Sequence, residues 1–98
     1  MEITKNIQDH SASFVLSGRL DTLTSPQLEK ELQEIPDDLK ELVLDFGGVE
    51  YISSAGLRVL LSAQKVMARQ GGMKLIHVNE MVMEIFEVTG FSEILNII

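Results

Sequence analysis

Hydrophobic and polar positions recur along this chain with two periods, one suited to strands and one to helices. Glu2 to Ile7 sets Ile3 and Ile7 among polar residues and predicts a strand. Gln8-Asp9-His10-Ser11-Ala12 is polar and reads as a turn. Ser13 to Ser17 encloses Phe14-Val15-Leu16, a short buried strand, so the opening elements predict a hairpin. Gly18-Arg19-Leu20-Asp21 closes that strand, and Thr22-Leu23-Thr24-Ser25-Pro26 prepares a helix. Ser25 is placed to cap it and Pro26 to take the first helical position, where a missing N–H costs nothing. Leu28, Leu32 and Ile35 then share one face, and Pro36 stops the helix.

Glu41 to Asp45 is the most strand-like run, apolar on both faces as a central strand is expected to be. Gly47-Gly48 is expected to break it, and Val49 to Ile52 leads into two adjacent serines. A helix is predicted from about Gly56 to Arg69, with Leu57, Leu60, Leu61, Gln64 and Met67-Ala68 on one stripe. Val59, Ala63 and Val66 widen that stripe, so the helix should be heavily buried, and Gly71-Gly72 closes it. Met73 to Val78 is a further strand. Asn79 is placed to cap a short helix from Glu80 to Val88, with Met81, Val82, Ile85 and Phe86 inward. Gly90 ends it, Phe91 packs back over that end, and Ile94 to Ile98 is a last short strand or tail. The order β-β-α-β-α-β-α-β predicts an α/β fold, with a mixed sheet of about four to five strands and helices packed against it. The later strands should be parallel. Residues 1–98 are read as one domain, without repeat, linker or low-complexity segment.

Composition narrows the function. Hydrophobic residues make up 45% and charged residues 23%, which suits one globular core. The formal net charge of −7 argues against the basic patch that nucleic acid or an anionic membrane needs, so neither is an expected partner. There is no cysteine, which excludes thiolate catalysis and cysteine-ligated zinc. No apolar run approaches a membrane span and the first residues carry no signal-peptide core, so a cytoplasmic location is expected.

No catalytic set emerges. His10 falls in a turn and His77 near a strand end, each without a ligand partner at close spacing, so both read as surface or packing residues. There is no Gly-x-Ser-x-Gly elbow, and Gly47-Gly48 and Gly71-Gly72 match neither phosphate-binding fingerprint. The five methionines occupy apolar positions and read as core. No enzyme activity, cofactor or metal is expected.

What remains is the junction of strand and helix at Ser53-Ser54-Ala55-Gly56. The first turn of a helix exposes N–H groups and favours negative charge. Ser54 reads first as an ordinary helix cap. Gly56 is out of place in a helix, which implies either tight packing on the preceding strand or a bare backbone for a partner to approach.

The run Asp45-Phe-Gly-Gly-Val-Glu-Tyr-Ile-Ser-Ser-Ala-Gly-Leu-Arg58 resembles the signature of STAS domains, in particular the bacterial anti-sigma factor antagonists. Gly18-Arg19-Leu20-Asp21 with Thr24-Ser25 is similar to the family's segment before the first helix. Phe86-Glu87-Val88-Thr89-Gly90-Phe91 is similar to its segment near the C-terminus. The resemblance implies partner switching. The unmodified antagonist binds an anti-sigma factor that is also a serine kinase, and a sigma factor is freed. Phosphorylation of a serine at the helix start ends the binding, and a phosphatase restores it. By position that serine is Ser54, with Ser53 in reserve, where many members carry an aspartate. Asp21, Thr22, Ser53, Ala55, Gly56, Leu57 and Arg58 are the candidate partner surface. The alternative is a module of the same fold that senses a nucleotide or lipid.

Overall fold

The computed structural model describes residues 1–98. Strands β1 (Glu2–Gln8) and β2 (Ser11–Leu20) form the expected hairpin, but only Asp9 and His10 turn, and the polar residues around them are already paired. Helix α1 (Ser25–Gln33) is followed by β3 (Glu41–Ile52), α2 (Ser54–Gln70), β4 (Gly72–Ile76) and α3 (Glu80–Thr89). The sheet has the order β1-β2-β3-β4. β1 is antiparallel to β2, while β2, β3 and β4 run parallel. It is therefore a four-stranded mixed sheet. The final strand is reduced to one bridge between Leu75 and Ile97, held by the Leu75 N–H to Asn96 and the Ile98 N–H to Leu75.

Burial alternates along the central strands. Ala12, Phe14 and Leu16 on β2 and Leu42, Leu44 and Phe46 on β3 are buried, as are Met73 and Leu75 on β4. The helices cover this face. α2 and α3 pack on the sheet, and α1 lies along α2. The Phe86 ring of α3 meets that of Phe46 at 6.2 Å between centroids. The opposite face is not capped. Val15 on it is 47% exposed, and Val43 is only half-buried. The central strands are thus one-faced, not apolar on both sides.

Gly47-Gly48 does not end β3. The strand runs through twelve residues, and its register against β2 slips twice. Val15 faces Asp45 but Ser17 faces Gly48, and Gly18 faces Val49 but Arg19 faces Tyr51. Each slip inserts one extra residue into β3, as a β-bulge does. The bulges change the spacing of buried residues from two (Leu42, Leu44, Phe46) to three (Phe46, Val49, Ile52). A Cβ on Gly48 would lie 2.7 Å from the Ser17 Cβ and 3.0 Å from the Leu16 carbonyl oxygen. Only glycine lets the two backbones approach that closely there.

Several ends differ from expectation. Thr24, not Ser25, occupies the cap position of α1, and its hydroxyl bonds the loop before it instead of a first-turn N–H. Ser25 begins the helix, buried, so Pro26 takes its second position; the helix stops at Gln33, two residues before Ile35. β4 ends at Ile76, since His77 turns the chain at φ +60° and cannot continue a strand. Asn79 does cap α3, its Oδ1 accepting the Val82 N–H at 2.8 Å, and Gly90 in the left-handed region ends it. Met81 points outward with 58% of its surface exposed, and Met83 packs on the core in its place. Val66 is likewise half outside the α2 stripe, at 48%.

Candidate functional site

β2 and β3 are parallel neighbours, so the loops that follow them leave the sheet side by side. Leu20 and Ile52 are the last paired residues of the two strands. The Ser53 N–H donates to the Leu20 carbonyl at 2.9 Å, stitching the start of α2 to the loop before α1. Gly56 sits at the centre of this seam. A Cβ there would lie 2.8 Å from both Ile52 Cγ1 and Leu20 Cγ, and 3.0 Å from the Leu20 carbonyl oxygen. Gly56 is buried, so tight packing on the preceding strand accounts for the glycine.

Ser53 is the helix cap, in extended backbone, and Ser54 is the first helical residue, which reverses the expected assignment of the cap. The cap works through the backbone, the Ser53 carbonyl accepting the Leu57 N–H at 2.9 Å. The Ser53 hydroxyl is sealed from solvent and has no hydrogen-bond partner. Ser54 and Arg58 are exposed, Ala55 is half-buried, and Leu57 is buried with Gly56. Arg58 takes part in no ion pair.

The facing loop is built around Asp21. Its Oδ1 accepts the N–H groups of Leu23 at 3.0 Å and Thr24 at 3.2 Å. Thr24 Oγ1 donates to the Arg19 carbonyl at 2.6 Å and accepts the Asp21 N–H at 2.9 Å. The Ser25 N–H closes the loop on the Asp21 carbonyl at 2.8 Å. The Thr24 N–H is the main influence holding the Asp21 carboxyl below its ordinary range, helped by the Leu23 N–H, the Thr24 hydroxyl and nearby Arg19. Arg19 lies 3.6 Å from Asp21 Oδ2 and stacks its guanidinium 4.5 Å from the centre of the Tyr51 ring. Thr22 and Leu23 stand exposed at the tip.

Asp21, Thr22, Ser54 and Arg58 therefore share one end of the molecule and are open to contact. Gly56 and Leu57 support that end from beneath. The chain segments that build it, residues 19–25 and 51–58, are far apart in sequence.

The family-model match covers residues 3–96 and is described as Mlab, STAS domain. This chain belongs to the STAS-domain family. Among relatives of this STAS domain, BtrV of Bordetella bronchiseptica, to which anti-sigma factor antagonism is ascribed, is 38% identical over 96 residues. The alignment takes in 96% of this chain and 83% of BtrV. The anti-sigma-B factor antagonist of Listeria monocytogenes is 34% identical over 100 residues, covering 99% of this chain and 86% of the relative. The fold matches the crystal structure of an anti-sigma factor antagonist from Mycobacterium paratuberculosis with a TM-score of 0.87 at 22% identity, over 98% of this chain and 83% of the other. SpoIIAA has been solved in an unphosphorylated and a phosphorylated form, and the chain matches these with TM-scores of 0.79 and 0.75, both at 14% identity. The matches cover 99% of this chain in each case, and 88% and 91% of SpoIIAA.

Both histidines lie at the surface, as read from the sequence, and each also faces a carboxylate. His77 Nδ1 lies 3.0 Å from Asp45 Oδ1, and His10 Nδ1 lies 3.3 Å from Asp38 Oδ2. Burial alone would raise the Asp45 carboxyl, but the Gly47 N–H at 2.9 Å and the His77 ring outweigh it and hold the group low. These partners are 28 or more residues apart in the chain, so no local spacing could have shown them. No helix is long and apolar enough to cross a membrane.

Proposed function

We propose that this STAS domain is an anti-sigma factor antagonist whose unphosphorylated form binds an anti-sigma factor that is also a serine kinase. Phosphate on Ser54 then ends the binding, and a phosphatase restores it. One observation carries the choice of residue. Ser54 presents its side chain to solvent on the first turn of α2, while the Ser53 hydroxyl beside it is sealed. A kinase can reach only the former without opening the helix start. The relatives named for anti-sigma antagonism support the partner class, and the two forms of SpoIIAA support a phosphorylation switch on this fold.

The chemistry suits the position. Phosphorylation adds about −1.5 to −2 charges near pH 7. The first turn of a helix offers free N–H groups and the positive end of its dipole, so the fold accommodates the anion. Exposed Arg58, four residues on, is an uncommitted cation next to it. A partner packed against Ser54 has to accommodate new bulk and charge, so modification acts at the interface and not through unfolding.

The test begins with the unmodified chain as bait without ATP, the captured protein being identified, purified and titrated. That protein should be an anti-sigma factor. With ATP it should label Ser54, and Ser54→Asp should weaken binding at least ten-fold while leaving the urea midpoint unchanged. Phosphate on neither serine, with no affinity for any anti-sigma factor, overturns the proposal. Tight binding by Ser54→Asp would require a mechanism other than charge. The reading as a nucleotide or lipid sensor gains no support from the clefts: the one between α1 and α2, about 260 Å³, is below the usual range for ligand sites, about 300–1,000 Å³, and the one beside β4, about 320 Å³, has Met73 as its single hydrophobic lining residue, where ligand sites are mostly apolar.

A further inference from the structure

Leu23 is 89% exposed, the most exposed large apolar side chain of the molecule. A solitary surface leucine is ordinary and by itself needs no explanation. The mounting of Leu23 is what distinguishes it. Its own N–H is held by Asp21 Oδ1, and the next N–H, that of Thr24, goes to the same oxygen. The Thr24 hydroxyl bridges back to the Arg19 carbonyl, and the Ser25 N–H locks onto the Asp21 carbonyl. Six hydrogen bonds within residues 19–25 fix the loop and leave the leucine as its projecting tip. The core gains little from this side chain, although most of the apolar residues beside it in sequence, such as Leu20 and Leu28, are fully buried.

The second observation is place. The loop begins at Leu20, whose carbonyl accepts the Ser53 N–H and whose side chain fills the space a Cβ on Gly56 would need. Leu23 and Ser54 are therefore carried on one rigid seam, an apolar group on one side and the switch hydroxyl on the other. Rigid apolar anchors lose little conformational freedom on binding, which is what makes a small interface tight.

We infer that Leu23 is the apolar anchor of this surface, inserting into a hydrophobic pocket of the same anti-sigma factor that binds around Ser54. The inference rests on the proposed antagonist function. It divides the labour of the site: Leu23 supplies affinity to the unphosphorylated form, and Ser54 supplies the switch. Asp21 positions Leu23 by holding its N–H.

Leu23→Ala, Leu23→Lys and Leu23→Met are each titrated against the purified anti-sigma factor, with urea unfolding of every variant in parallel. Because the side chain is exposed, all three should keep the wild-type midpoint. The alanine variant should raise Kd about ten-fold and the lysine variant more, whereas Leu23→Met, close in volume, should stay within about three-fold. Phosphorylation of Ser54 in Leu23→Ala should show a raised KM with kcat unchanged, because an interaction common to ground and transition states is lost. Wild-type binding with unchanged affinity in both the alanine and lysine variants overturns the role of Leu23 and leaves the antagonist reading intact. Failure of the wild-type chain to bind any anti-sigma factor removes both.

Discussion

Replacing Gly56 by alanine tests the seam on which the site is built. The added methyl would sit 2.8 Å from Leu20 Cγ and from Ile52 Cγ1, and 3.0 Å from the Leu20 carbonyl oxygen. Comfortable carbon–carbon contact is about 3.5–4.0 Å, so each carbon contact is short by about 1 Å. Alanine in a helix interior is ordinarily better than glycine by roughly 1 kcal/mol, and by less in the first turn. Overpacking a filled space costs about 1–3 kcal/mol. The upper part of that range applies here, because the Leu20 carbonyl is already fixed by the Ser53 N–H and both leucine and isoleucine are fully buried. The balance is a net loss of about 1–2 kcal/mol, or a fall in Tm of about 5–15 °C for a domain of this size. Urea unfolding followed by circular dichroism should show a lower midpoint with an unchanged slope. Gly72→Ala is the control. Nothing lies within 4 Å of a Cβ built there, so its midpoint should stay within about 0.5 kcal/mol of wild type. A Gly56→Ala variant as stable as wild type would refute the packing explanation and return Gly56 to the partner surface.

Two further outcomes follow from single atoms of the same region. Ser53→Ala should leave stability within about 0.5 kcal/mol of wild type or raise it, because the hydroxyl is buried and unpartnered. An ordinary serine cap loses about 0.5–2 kcal/mol on this change, and a loss of that size in thermal unfolding would show that the hydroxyl does bond. Asp21 and Asp45 each carry a carboxyl held below its ordinary value of 3.8. The unfolded chain therefore takes up these protons first. Their contribution to stability is present above pH 3.8 and is lost as pH falls through the lower folded values. Asp21→Asn keeps an oxygen for the loop but cannot titrate, so its urea midpoint should fall less steeply than wild type below about pH 5. An acid limb identical to wild type would show that Asp21 titrates as in the unfolded chain.

The linear pattern determined much of this protein. Strands at β1, β2 and β4, helices at α1, α2 and α3, the Asn79 cap and the parallel order of the later strands all follow from local periodicity and capping chemistry. The run from Asp45 to Arg58 also marked the candidate site, and its resemblance to the STAS signature suggested Ser54. Tertiary structure decided the rest. Gly47-Gly48 reads locally as a break because the apolar spacing changes from two to three, but pairing with β2 absorbs the extra residues as bulges and the strand continues. An isolated glycine pair inside a strand pattern is itself a bulge signal, and it was legible there. Met81 fits the helical period as well as Met83 does, and only the position of β3 beneath α3 selects between them. His77 and Asp45 meet because β3 and β4 are neighbours. At the site, sequence could place two serines at a helix start but not tell which hydroxyl faces water. That depends on the Leu20 carbonyl drawing the Ser53 N–H toward β2 and turning its hydroxyl inward. It also depends on Gly56 letting α2 settle onto Ile52 and onto Leu20, the latter more than thirty residues away in the chain.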